Sequence, residues 1–366
     1  MRSLRWLHSS AEAMTGKRQL LKALRCIIFL AIVLCSAISF SYVVRQVSYR
    51  IHRTMLPSFY AEPSDSLDVV AIGSSACYRY VDTPVLYEKF GITSFNVATP
   101  LQPTSIVRYL MNEVEKTQKP QLYLVEVREF LRLKEEEKEQ AVYCASDSMD
   151  FSPNKWFMDL RAYDNWAERL EAFFDITKYH GEWEGISDAS LVFWRNRVKN
   201  PSKEWENIAK TEPQKEPDWT AKTAEELYPH NEQALVELLE DCRKKNRQVL
   251  FFMTPYIYGE AIPGRLLRVR ELVESYGYSL LDMSRGSAYG LDYGTDFYNT
   301  HHVNWRGAEK ITLVLGDYIK KEYNIVAKHA LDIDDEWSGY ASENRREADS
   351  LTGTEQADFD DSLEGR

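Results

Sequence analysis

The stretch LDVVAIGSSACY, Leu67–Tyr78, decides how the rest of the chain is read. Its first seven residues are a short, β-branched apolar run closed by glycine, the pattern of a strand buried on both faces. Gly73, Ser74 and Ser75 then form a tight turn, and a helix opens at Ser75. A serine placed there presents its hydroxyl at the carboxyl edge of a sheet, where open α/β sheets bind their ligands. Four more runs follow the same pattern: Ile92–Ala98, Gln121–Val127, Gln248–Thr254 and Tyr278–Ser284. Helical patterns lie among and after them, at Pro103–Lys116, Ala224–Asn246, Leu266–Gly277 and Trp305–Tyr323, with Gly277 placed to end its helix in the left-handed conformation. This alternation predicts an α/β domain over 67–327, with a mostly parallel five-stranded sheet between two layers of helices.

The flanks differ in character. Residues 1–25 form a basic tail, and Cys26–Val44 is a run of 19 residues without a charge. At about 1.5 Å per residue that run is roughly 28 Å long, the hydrocarbon thickness of a bilayer. It is longer than the apolar core of a signal peptide, and charged residues follow it directly, so a retained single-pass helix is expected. Six Lys and Arg before the span against three Arg just after it place the N-terminus in the cytoplasm and the main domain outside. A linker, 45–66, leads to the domain. Residues 131–223 interrupt the strand–helix rhythm and hold six of the nine tryptophans, which suits a helical insertion whose indoles either fill a small core or stack on sugar rings. From 328 to 366 the chain is polar and acidic and is expected to be disordered. About -9 of the net charge of -11 sits in residues 330–366, so the acidity describes a tail, and a nucleic-acid partner is not expected. No Cys/His spacing suggests a metal, and a single glycine in the first turn does not make a phosphate cradle, so no cofactor is expected.

The chemistry is carried by two separated motifs. Ser75 follows the first strand; the second motif, DFYNTHHVNWRGAEKIT (Asp296–Thr312), lies between the last strand and the last helix and holds two of the seven histidines. A histidine on that loop reaches over the sheet edge toward a serine after the first strand and takes its proton. Each motif alone has an ordinary reading, a helix-capping serine or a surface histidine. Their placement at opposite ends of one sheet edge argues for a pair.

Both motifs resemble the SGNH (GDSL-type) hydrolase superfamily, and particularly its membrane-anchored bacterial branch with DltD-like and alginate-acetylation-type proteins. IGSS resembles the first block, with Ser75 as nucleophile, and NTHHVNWRGAEKIT resembles the last, with His302 as base. The resemblance implies a flavodoxin-like α/β/α sandwich and acyl-ester chemistry. The substrate it implies is a cell-envelope polysaccharide or acylated glycopolymer, and a membrane-bound acyltransferase is a possible partner. Departures accompany it. The triad acid should stand three residues before the histidine, where this chain has Asn299; Asp296, one turn further back, is the alternative. The second block keeps Asn96 but has Ala98 in place of glycine. The third block offers Glu126, Arg128 and Glu129 and no asparagine. Candidates for holding the oxyanion or substrate are therefore Ser74, Asn96 and Gln102. Asn299 and the incomplete third block leave open a second reading, a binding or accessory protein of envelope assembly on the same fold.

Overall fold

The computed structural model describes residues 3–47, 55–132, 139–163, 165–173, 177, 179–186, 197, 199–221, 223–257, 262–326 and 331–350. The chain divides into two compact units, Met1–Tyr49 with Leu170–Arg195, and Arg50–Arg169 with Asn196–Arg366. The first unit is dominated by helix α1, Ser3–Val47. Within it, Arg18–Ser41 is 24 residues of mean hydropathy 2.4, long and apolar enough to cross a membrane. Its leucine, isoleucine and phenylalanine side chains between Leu20 and Leu34 are exposed.

The second unit holds the sheet. In chain order its elements begin with α2 (Met55–Phe59), β1 (Val69–Gly73), α3 (Ser75–Tyr78), α4 (Thr83–Phe90), β2 (Ser94–Ala98), α5 (Val107–Val114) and β3 (Leu122–Glu126). Next come α6 (Glu139–Ser146), α7 (Pro153–Ala162) and α8 (Trp166–Phe173), the last passing into the first unit. They are followed by α9 (Pro229–Lys244), β4 (Val249–Met253), α10 (Ile262–Ser275), β5 (Ser279–Asp282), α11 (Trp305–Glu322) and α12 (Leu331–Ser350). All four strand pairs are parallel, in the order β2-β1-β3-β4-β5. Every residue of β1 to β4 is buried. Apolar residues alternate between two cores: Val70, Ile72, Tyr123, Val125 and Phe251 face one way, and Val69, Ala71, Leu122, Leu124 and Phe252 the other. The expected five-stranded parallel sheet with flanking helices is therefore present. The strand order reverses between β1 and β3, and the crevice this opens at their carboxyl ends is where such sheets take ligands.

Of the expected insertion 131–223, α6, α7 and the irregular stretch 199–221 belong to the same unit as the sheet. The stretch meets the edge of the sheet, where the Asn96 backbone amide of β2 donates to the Lys203 carbonyl at 3.1 Å. Its tryptophans divide, with Trp205 and Trp219 buried and Trp156, Trp166 and Trp183 exposed, while Trp194 lies outside the described residues.

One expectation needs correction, at the C-terminus. Residues 351–366 lie outside the described residues, but Leu331–Ser350 is a helix that packs on α4. Net charge hid its apolar stripe, Ile333, Trp337, Tyr340, Ala341 and Ala348, spaced as one helix face. Trp337 is 1% exposed, rests on Tyr87 with ring centres 5.5 Å apart and covers the Lys203 ammonium at 5.2 Å. That ammonium is itself buried and paired with Glu62 at 2.7 Å. Asn344 donates to the Asp82 carboxylate that caps α4, and Arg345 pairs with Glu88 and Glu309. Trp337→Ala removes the indole from this seat at a cost of about 3–5 kcal/mol. It should lower the melting temperature by on the order of 10 °C, as truncation after Lys328 also should; a melting curve superimposable on wild type would show that the helix contributes nothing to the domain.

Candidate active site

Ser75 is the first residue of the one-turn helix α3, directly past the carboxyl end of β1. The turn needs glycine before it: a Cβ on Gly73 would stand 2.7 Å from Glu126 Cβ on the neighbouring strand and 3.2 Å from Cys77 Cβ. Ser74 caps the helix, its hydroxyl accepting the Ala76 amide at 3.4 Å, so it serves the turn.

The partner comes from 227 residues away. His302 is 1% exposed, and its Nε2 lies 2.7 Å from Ser75 Oγ. The loop that carries it closes on itself: Phe297 and Val303 form an antiparallel bridge, and the Asn304 amide donates to the Asp296 carbonyl at 2.8 Å. Asn299 Oδ1 accepts the backbone amides of both His301 and His302 at 2.8 Å. The His301 carbonyl in turn accepts from Arg128 Nη1 at 2.9 Å, with Tyr80 Oη, which donates to the Pro255 carbonyl at 2.5 Å, 3.1 Å away. Asn304 then starts α11 by capping Arg306 and Gly307.

The expected orienting groups are placed otherwise. Asp296 is buried, but its carboxylate takes Lys310 Nζ at 2.6 Å, the Asp292 amide at 2.7 Å and the Thr295 hydroxyl at 3.1 Å. These partners, Lys310 from the second turn of α11 among them, occupy the carboxylate, and the hydrogen bonds at the His302 ring are made by Ser75 and Tyr298. Asn299 spends its oxygen on the backbone and does not orient the ring. His302 Nδ1 instead lies 3.2 Å from Tyr298 Oη, and the two rings stack with centres 5.6 Å apart. Asn96 is also engaged elsewhere, donating to the Val81 carbonyl at 2.9 Å as a strut between β2 and the turn after α3. Gln102 is different. It is 1% exposed, its Oε1 accepts the Thr99 hydroxyl at 3.3 Å, and its Nε2 is buried without a partner. The Thr99 amide reaches the Gly73 carbonyl at 3.4 Å, which ties this unpaired donor to the nucleophile turn.

Three residues at the carboxyl edge carried weak signals in the sequence. Glu126 ends an otherwise apolar strand, and its Oε2 is buried without a partner. Arg128 is buried between the Tyr80 and Tyr256 rings and donates to Thr254 Oγ1 at 2.9 Å. Arg79, paired with Glu206 at 3.0 Å, lies over the Tyr298 ring. Burial first, then the Arg128 and Arg79 charges, push the His302 imidazole well below its ordinary pKa, so the ring is neutral at neutral pH. Burial pushes the Glu126 carboxyl up to about 7. A cavity of about 320 Å³ opens at the end of β5, between Trp219, Leu266, Arg285 and Tyr289, and is not lined by Ser75 or His302. Among the described residues, no cluster of His, Cys, Asp and Glu has the arrangement of a metal site.

No family model and no curated protein matches the sequence. Among solved structures, the chain is similar to a lipolytic protein of the G-D-S-L family from Desulfitobacterium hafniense, with a TM-score of 0.33 and 10% identity over 68% of this chain and 97% of that one. It is similar to a family two carbohydrate esterase from Clostridium thermocellum solved with cellohexaose, with a TM-score of 0.32 and 9% identity over 72% of this chain and 66% of that one. An acetyl xylan esterase from Butyrivibrio proteoclasticus gives a TM-score of 0.31 and 10% identity, with the same coverage. Likenesses at this level do not carry a function, which rests on the geometry around Ser75.

The two shifted groups act on stability in opposite senses. His302, held neutral, contributes stability above about pH 6.5 that is lost as the pH falls. Glu126, whose folded pKa is raised to about 7, contributes stability fully present below its unfolded value of about 4.3 and lost as the pH rises through 7. Glu126→Gln cannot ionise, so thermal melts should show it gaining steadily on wild type between about pH 4.5 and pH 7, with no further gain above about pH 7. A constant offset across that range would show that Glu126 does not titrate there.

Proposed function

We propose that this chain is an SGNH-type serine esterase or O-acyltransferase, held at a membrane by its N-terminal helix, that acts on acyl esters of a cell-envelope polysaccharide. The observation that carries the reading is the 2.7 Å contact between Ser75 Oγ and a buried imidazole nitrogen of His302. The substrate class rests on the resemblance of the two sequence blocks, and the anchor on the apolar stretch Arg18–Ser41.

In this reading His302 Nε2 takes the Ser75 proton as Oγ attacks the acyl carbonyl. The tetrahedral oxyanion is met by a side-chain donor, for which Gln102 Nε2 is the candidate, since it is buried and unpaired. Collapse of the intermediate expels the alcohol, which leaves with the proton from His302, and water or a sugar hydroxyl then takes the acyl group from Ser75 by the same route. Tyr298 Oη at Nδ1 orients the ring without neutralising an imidazolium. Arg128 and Arg79 disfavour that cation further. The site is therefore expected to turn over slowly beside one whose histidine is backed by a carboxylate; in a serine-protease triad, replacing that carboxylate by an amide costs about 10⁴-fold in kcat.

The engagement of Asp296 and Asn299 elsewhere favours the second reading, a binding or accessory protein on the same fold. Kinetics separate the two. Ser75→Ala and His302→Ala should each lower kcat/KM on small acyl esters by at least about 10³-fold, with the double variant no worse than either, because both serve one proton-coupled attack. Gln102→Ala should cost about 10²-fold in kcat with little change in KM. A wild-type chain with no more activity than Ser75→Ala would favour the binding protein. Protease added to intact cells should degrade the region after Arg53 and spare the N-terminal tail; digestion of the tail alone would reverse the orientation.

A further inference from the structure

Helix α7 is amphipathic in the reverse sense. Its inward face carries a charge pair: Lys155 and Asp159 are both nearly inaccessible, 3.0 Å apart, and joined through the Ser146 hydroxyl at 2.5 and 2.6 Å, with Met158 beside them. Its outward face carries apolar residues at helical spacing. Pro153, Trp156 and Phe157 are exposed and Leu160 is half-buried, positions i, i+3, i+4 and i+7. Phe157 is 57% exposed and Trp156 39%, and they are flanked in the chain by Phe151 at 50% and Trp166 at 67%. Four large aromatic side chains in sixteen residues turned toward water, over a buried ion pair, fit a helix whose outer medium is apolar.

The place of this face in the chain says which medium. Thirteen residues separate the apolar stretch ending at Ser41 from Met55, where the chain enters the buried core of the sheet unit. Fully extended, they reach no more than about 50 Å. Directly after that entry, Tyr60 Oη accepts the backbone amide of Asp150, the residue before Phe151, at 3.3 Å, and donates to Glu113 at 2.7 Å. Asn154, in the first turn of α7, donates to the same Glu113 carboxylate at 2.9 Å. The point at which the tether meets the domain and the start of the aromatic face are thus one patch. Indole and phenyl rings at that level suit the boundary between lipid headgroups and acyl chains, where a tryptophan keeps an apolar body in lipid and its N–H among polar groups.

We infer that the outer face of α7, with Trp156 and Phe157 at its centre and Phe151 and Trp166 beside it, rests in the lipid–water interface and holds the domain against the membrane. This rests on the reading of Arg18–Ser41 as a membrane anchor. The test uses the full chain in phosphatidylcholine vesicles, with and without acyl chains brominated close to the headgroup. Subtracting the emission of the Trp156→Phe, Trp166→Phe variant from that of wild type isolates the two indoles, and the substitutions keep an aromatic ring at each position. The inference expects the chain to stay with the vesicles through an alkaline wash and the difference emission to lose most of its intensity in brominated lipid. A chain that stays bound with an unquenched difference emission overturns the interfacial face and leaves the anchor standing. A chain that washes off overturns both. Unquenched difference emission together with Trp156-dependent self-association would give the face to a second copy of the chain, and would equally overturn the lipid assignment.

Discussion

The grip of one guanidinium on one carbonyl oxygen holds the proposed chemistry in place. Arg128, at the end of β3, donates to the His301 carbonyl, and the next residue is the base that meets Ser75; the Tyr80 hydroxyl, which donates to the Pro255 carbonyl at 2.5 Å, stands beside them. A guanidinium in the interior is costly to keep. Arg128 is kept by neutral oxygens and two aromatic faces, with no ion pair to a carboxylate among the described residues. What the fold obtains is a loop whose histidine cannot drift from the sheet edge. The cost falls on the histidine, whose protonated form the same cation opposes. Positioning of the base and stabilisation of its charged form are thus set against each other, and this tension separates the site from one in which a carboxylate does both.

The layers around the sheet follow from its order. Because the strands reverse direction of addition between β1 and β3, the ends of those two strands face a crevice, where a Cβ on Gly73 would collide with Glu126 Cβ. The far edge is closed by backbone that strains to do so. Lys203 and Glu204 both have positive φ, 51° and 63°, which costs non-glycine residues roughly 1–2 kcal/mol each. The Asn96 amide, the Glu62 pair and the indole of Trp337 hold them there. The C-terminal helix is therefore the roof of a strained edge.

Much of this was legible in the residues. Five apolar runs gave five strands because burial on both faces demands continuous hydrophobicity, and Gly277 marked a helix boundary by its conformational freedom. Ser75 and His302 were legible because the end of the first strand and the approach to the last helix converge in any sheet of this class. The rest depended on partners no local pattern announces. Asp296 was read as an orienting acid from its distance along the chain, and Lys310, fourteen residues on, takes its carboxylate instead. Tyr298 stands four residues before His302 in a loop, where spacing says nothing about facing. The stripe of α12 was present in the sequence but was obscured by twelve acids in the last 37 residues. The reversed polarity of α7 is visible only once the direction of the core is known.

Covalent capture tests the central claim most directly. A fluorophosphonate needs a nucleophilic oxygen activated by a neighbouring base and needs no knowledge of the natural acyl group. Intact-mass and peptide analysis of the treated full chain should show one phosphonyl adduct, on Ser75, and its rate of formation should collapse in His302→Ala. Unmodified Ser75 in the wild-type chain, or labelling indifferent to the loss of His302, would contradict the account: the short contact between the two side chains would then be a buried hydrogen bond and not a catalytic pair.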